Sequence, residues 1–141
     1  MNEVKFWFII DSAKKINNNN IVEQRESIEN TLSDYPIEDI RHFNYLMEFF
    51  ISGAKDAGIN EFIDKFFNDE ISNNGFDFFM GWLILQGSAL YNQSIKDPFF
   101  LKEVIEINYN KDFDVLKCEE ALHISSKAYE IKTGRNYFED F

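Results

Sequence analysis

Apolar residues in the first part of the chain return every three or four positions. From Glu3 to Ile16 they fall at Phe6, Phe8 or Ile9, Ala13 and Ile16, with polar side chains between them. That spacing puts them on one face of an α-helix. The tract Asn17 to Asn20 breaks the pattern, and its last residue is the predicted N-cap of a second helix because an Asn side chain can accept from the free backbone N–H groups there. Ile21, Ile28 and Leu32 carry that helix to about Ser33, with Glu23, Glu26 and Glu29 on its solvated face. Tyr35-Pro36 marks the next boundary, since proline disfavours helix at the preceding residue and suits the first turn of a new one. The third helix runs through Ile37, Ile40, Phe43, Met47, Phe50 and Ala54. Tyr45, Leu46 and Phe49 widen its apolar face, so it is expected to pack on two sides.

Gly53 and Gly58 bracket the predicted end of this helix, and Ile59 to Phe67 offers Phe62, Ile63 and Phe66 on one face of a shorter fourth. Ser72 to Gly75 is turn chemistry in which the serine can cap the next helix. The adjoining segment, Phe76 to Gln86, is apolar on every side and is predicted to be a helix inside the domain. Gly81 and Gly87 cost helix propensity, roughly 1 kcal/mol each, and a close helix crossing is the expected reason for them. Ser88 to Ile95 continues as helix until Asp97-Pro98 breaks and restarts the chain, with Phe99 to Leu101 as an anchor. Val104 to Tyr109 is β-prone but has no second strand to pair with, so irregular structure is expected. Val115 to Lys132 reads as a last helical region with Leu116, Cys118, Leu122, Ala128, Tyr129 and Ile131 facing inward, stopped by Thr133-Gly134. Phe138 and Phe141 lie in an acidic tail. The prediction is all-α: one domain over residues 1–141, a bundle of about six to eight helices around a buried aromatic central helix.

Composition agrees with a single core. At 141 residues the chain is long enough to bury roughly two thirds of its unfolded surface. With 45% hydrophobic residues and 16 phenylalanines it has the apolar area to fold despite 28% charge. Charge narrows the partners. The 25 acidic and 14 basic residues leave −11, which repels phosphate backbones and anionic lipid, so neither nucleic acid nor a membrane surface is expected and a basic protein surface is. A lone cysteine, Cys118, allows no intrachain disulfide and no multi-cysteine zinc site, which suits a reducing compartment. The apolar run Phe6 to Ile10 is too short for a signal-peptide core. Phe78 to Leu85 falls far short of the roughly 20 residues of a membrane helix. A cytoplasmic location is the expectation.

Three stretches carry a family resemblance. They are Phe6-Trp7-x-x-Ile10-Asp11, then Asn74-Gly75-Phe76-Asp77-x-Phe79-x-Gly81-Trp82-Leu83-Ile84-x-Gln86-Gly87, and Glu120-x-Leu122 with Ala128-Tyr129-Glu130-x-x-Thr133-Gly134. Across nearly its whole length the chain resembles the bacterial domain of unknown function 4240 family. Met80 stands where that family's pattern often has arginine, and Lys55 to Glu70 follows the pattern poorly. The resemblance implies a helical fold and supplies no mechanism.

The chemistry-bearing motifs with known mechanics are missing: no Gly-rich phosphate loop, no Gly-x-Ser-x-Gly elbow, no His-Glu-x-x-His, no Cys-x-x-Cys. No cofactor is expected. With two histidines in the chain, a Cys118–His42 nucleophilic pair would require the third and last helices to bring them together, and a buried, inert cysteine is the expectation instead. Asp39-x-x-His42 and Glu120-x-x-His123 each set a carboxylate and an imidazole one turn apart. Helical di-metal carboxylate proteins use two such pairs plus a Glu from each of two further helices, here Glu29 and Glu48, which makes a metal site the less favoured alternative. Asp77 and Gln86 are polar groups in or beside the most apolar helix, where an unpaired group costs about 1 to 3 kcal/mol. Either they steady local turns and backbone, or Asp77, Trp82, Gln86 and Tyr129 line a pocket. The leading functional expectation is a non-enzymatic acidic interaction module, immunity-protein or antitoxin-like, that masks a basic partner through Glu23, Glu26, Glu29 and the Glu139-Asp140 tail. A small-molecule-binding or enzymatic helical domain with its pocket near Trp82 is the alternative.

Overall fold

The computed structural model describes residues 1–17, 20–67, 74–109 and 116–141, and every regular element among them is helical. In order these are α1 (Glu3–Asn17), α2 (Ile21–Ser33), α3 (Ile37–Asp56), α4 (Ile59–Phe66) and α5 (Gly75–Leu85). Then come α6 (Ser88–Lys96), α7 (Phe99–Tyr109), a 3-10 turn (Glu119–His123), α8 (Ile124–Thr133) and a short α9 (Tyr137–Asp140). The predicted Ser72 cap lies outside the described residues. Asn20 caps α2 as expected, accepting from Glu23 N at 3.0 Å. Pro36 holds the N-cap position of α3, and Gly134, at φ +71°, ends α8.

Helix α5 is the centre of the molecule, with every residue from Phe79 to Leu85 buried. Around it the inward faces are narrower than the apolar pattern suggests. Phe6 of α1 wedges against Phe43 and Phe50 of α3, with ring centroids 4.7 and 5.2 Å away. That contact fixes the rotation of α1 so that Ile9, Ile10 and Ala13 go in, while Phe8 (61% exposed) and Ile16 (77% exposed) stay out. On α3, Ile37, Tyr45 and Phe49 likewise remain exposed. Trp7, Phe50 and Tyr91 form an aromatic layer between α1, α3 and α6. The Tyr91 hydroxyl donates to Phe50 O at 2.6 Å, and burial, with Glu3 adding to it, pushes that phenol up to about 12.

A buried helix cannot leave its terminal carbonyls to water. Gln24 of α2, itself buried, donates its amide to Leu85 O at 2.6 Å, and Gln86 reaches back to Trp82 O at 3.3 Å. Lys14 of α1 donates to Gln86 Oε1 at 3.0 Å, and its burial lowers the ammonium pKa. Asp11 caps α6 by accepting from Ser88 N and Ser88 Oγ at 3.0 and 2.6 Å. Gly87 makes the corner between α5 and α6 at φ +110°, where a Cβ would sit 2.6 Å from Asp11 Oδ1. It is therefore a corner glycine; no helix crossing explains it.

At Gly81 the expected close backbone approach is present, with a different partner. A Cβ there would lie 2.2 Å from the carbonyl oxygen of Cys118 and 3.1 Å from Ala121 Cβ. Cys118 also donates its N–H to Phe78 O at 2.8 Å. The segment is extended at Cys118 (φ −152°, ψ 89°), and the chain then turns through the 3-10 residues into α8. This corrects the predicted helix from Val115: docking on α5 claims the Cys118 N–H that a helix would have used, so α8 starts at Ile124. Val115 itself is outside the described residues, and Ile131 faces solvent. A second correction is α7, where irregular structure was expected. Asp97 Oδ1 accepts from Phe99 N at 3.1 Å to start the helix, and Leu101 and Ile105, four residues apart, go into the core. Burial of that face outweighs the modest helix propensity of the β-branched residues.

Gly81→Ala is expected to destabilise the fold by about 1–3 kcal/mol, because backbone atoms on both sides must move. Gly53→Ala is the control. Its Cβ would meet only Tyr91 Oη at 3.4 Å, so the helix-propensity gain should leave stability unchanged or raised by up to about 1 kcal/mol. Paired urea-unfolding curves check both; equal midpoints would show that the Gly81 approach does not constrain the core.

Candidate functional site

One face of α3 is not covered by the core. Residues three and four apart share a helix face, and Asn44, Met47, Glu48, Ile51, Ser52 and Lys55 line one wall of a groove of about 290 Å3. Asp77 of α5 and Leu122 of the 3-10 turn complete it. Met47 is buried and Ile51 and Leu122 are half-buried, so the floor is apolar, while Glu48 and Ser52 are exposed at the edge. Asn44 Nδ2 approaches Glu48 Oε1 at 3.4 Å. Lys55 stands over the Phe76 ring, with Nζ 5.4 Å from its centroid. Asp77, half-buried in the first turn of α5, has no hydrogen-bond or ion-pair partner among the described residues.

Two further grooves lie among the described residues. One, of about 280 Å3 near α8, is lined by Tyr137 and Phe138 together with charged side chains, and its arginine and lysine are already engaged: Arg25 holds Glu29 at 2.7 Å, and Lys127 lies 3.8 Å from Glu130. The other, about 600 Å3 between α4 and α7, is walled by Phe62, Phe66 and Phe99 with two lysines and two glutamates at its rim. None of these three grooves is lined by Trp82, Gln86 or Tyr129. Trp82 packs in the core 5.6 Å from the Phe79 ring, and Gln86 is held by Lys14 and Trp82 O. Of the four residues expected to line a pocket, Asp77 is the one that lines one of these three grooves.

The residues of the alternative metal site are not gathered. Asp39 Oδ1 lies 2.7 Å from the Met1 amino group, and the His42 ring lies 5.6 Å from that of Tyr45, tilted by 40°. Glu120 and His123 sit on the 3-10 turn rather than on the last helix, both exposed. Among the described residues no group of three or more His, Cys, Asp and Glu side chains is placed to hold a metal ion. Cys118 is buried with Sγ 3.9 Å from Glu120 Oε2; burial first, then the Glu120 charge, pushes its thiol up and away from the reactive thiolate.

The acidic surface also needs correcting. Glu29, expected on the solvated face, is 6% exposed and neutralised by Arg25, so the open carboxylates of α2 are Glu23 and Glu26. In the tail, Asp140 is clamped: Arg135 donates Nε and Nη2 to its two oxygens at 2.8 and 2.7 Å, and the Tyr129 hydroxyl donates to it as well. Phe141 then lies on the domain, 5.3 Å from the Tyr129 ring and 4.2 Å from the Arg41 guanidinium. Arg135, with Tyr129, holds the Asp140 carboxyl well below the usual carboxylate range; in return Asp140 raises the Tyr129 phenol.

The chain belongs to the DUF4240 family, proteins of unknown function, whose family model matches residues 1–131. No curated protein and no solved structure matches it. The Arg135–Asp140 clamp and α9 lie beyond the matched span.

The clamp has a defined pH dependence. Asp140 is stabilised as the anion, so its contribution is complete above the ordinary carboxylate pKa of about 4 and fades only as acid titrates it below that value. Asp140→Asn should release α9 at neutral pH, seen as roughly tenfold faster amide exchange at Tyr137 to Asp140 with exchange in α5 unchanged; equal tail exchange would contradict the clamp. At pH 8 the Cys118 thiol should react with a disulfide reagent roughly 100-fold more slowly in the folded protein than in denaturant. Equal rates would mean that the thiol is open.

Proposed function

We propose that this protein is a non-enzymatic interaction module that covers a basic surface on a protein partner, as an immunity protein or antitoxin does. The observation behind it is where the charge sits. Among the described residues Glu29 is the one buried carboxylate, and Arg25 neutralises it; the other described carboxylates reach the surface. With a formal charge of −11, the molecule presents a negative field that attracts a basic surface and repels nucleic acid and anionic lipid. A cytoplasmic setting belongs to this reading: one buried free thiol suits a reducing compartment, and no helix among the described residues is long and apolar enough to cross a membrane. A second reading, a small-molecule site, draws on the half-buried, unpartnered Asp77 in the α3 groove.

The test immobilises the full chain and its Glu23→Lys, Glu26→Lys double variant, and passes a lysate of the native host over both. A basic protein retained at about 0.05 M salt and released at about 0.5 M, and held at least fivefold less by the variant, is the expected result. Retention that ignores salt, or nothing held above a blank matrix, would overturn the proposal.

A further inference from the structure

The α3 groove joins an apolar floor to two carboxylates that form no ion pair among the described residues. Met47, Ile51 and Leu122 supply the floor, and Glu48 and Asp77 the charge. Lys55, which also lines the groove, forms no ion pair with either among the described residues; it stands over Phe76. An anionic ligand would meet two like charges. A purely apolar one would strip water from carboxylates and give nothing back. The volume, about 290 Å3, is at the small end of ligand sites, which suits one side chain or a small amine better than a cofactor.

We infer that this groove receives an arginine or lysine side chain of the basic partner, with its aliphatic stem on the Met47–Ile51–Leu122 floor and its cationic head on Glu48 and Asp77. The assignment rests on the interaction-module reading and gives it an anchor point. Long cationic side chains have the required two-part chemistry, an apolar stem and a charged head. A guanidinium fits best because its five N–H donors can be shared between two carboxylates and the side-chain oxygens of Asn44 and Ser52. The half-buried Asp77 is the stronger contact, since a partly desolvated charge pair is screened less than one in open water.

The test is an amide-shift titration of the isotopically labelled full chain with three probes: arginine blocked at both ends, free agmatine, and blocked norleucine as a neutral control. Blocked arginine should give saturable shifts confined to Asn44–Lys55 and Phe76–Phe78 at millimolar affinity, and norleucine none. Asp77→Asn and Glu48→Gln should each weaken binding at least threefold, with unfolding midpoints matching the parent to show that the fold is intact. No saturable shift, or shifts indifferent to both variants, would overturn the assignment. Binding of agmatine with exclusion of blocked arginine would overturn the partner side chain in favour of a free small amine. The two readings fail separately. Salt-sensitive capture of a partner without groove binding moves the contact to another face; groove binding with no captured partner overturns the partner and, with it, the source of the side chain.

Discussion

The backbone of Cys118 lies directly against Gly81, and much of the molecule depends on that contact. Helix α5 is apolar all round, so it is stable only when other elements surround it completely. The 3-10 segment closes one side, and it can come close because Gly81 has no side chain and because Phe78 O accepts the Cys118 N–H at 2.8 Å. The same docking sets where the chain turns into α8, buries the thiol, and carries Leu122 to the α3 groove beside Asp77. Structure and candidate site are thus tied to one backbone approach.

Enclosing a helix raises a second problem, its polar ends. The C-terminal carbonyls of α5 are satisfied from a distance in sequence by Gln24 of α2, and locally by Gln86, which Lys14 of α1 holds in place. Asp11 performs the matching service for the first turn of α6. Each of these polar groups is hydrogen-bonded, which is what makes the arrangement tolerable at a cost otherwise of about 1 to 3 kcal/mol per unpaired group. The first two helices therefore do more than add apolar area. They supply the donors and acceptors without which the central helix could not be internal.

Signals in the sequence are legible where their cause is local. Helical spacing locates α1 to α6, and Asn20, Pro36 and Gly134 mark boundaries because caps and φ preferences are properties of a few adjacent residues. Sequence reasoning fails where a distant contact decides. Val104 to Tyr109 forms helix because Leu101 and Ile105 find the core, and the stretch before Glu119 leaves helix because its N–H is spent on Phe78. Asp77 is legible as a charge next to the most apolar helix. Its groove is not, since most of the wall comes from α3, where Asn44, Glu48 and Ser52 at four-residue steps look like any solvated edge. Glu29 is readable as the partner of Arg25 from its four-residue spacing on the helix, which Glu26 lacks; that it is buried as well is decided by the packing of α2 on its neighbours.

Long-range and short-range electrostatics have different duties on such a surface. A net charge of −11 raises the encounter rate with any basic body, and is felt over roughly 8 Å at physiological ionic strength, but it cannot choose among basic bodies. Choice needs a place where a charge is partly desolvated and an apolar surface must be matched at the same time. Exposed carboxylates such as Glu23 and Glu26 remain hydrated whether or not a partner arrives, so each contributes little to discrimination. Asp77 differs because α5 and the α3 wall have already removed part of its water, and the apolar floor beside it rewards a side chain with a stem of the right length. On the proposed reading, selectivity for one basic surface over another would therefore belong in the groove, and the rest of the negative surface would bring candidates to it.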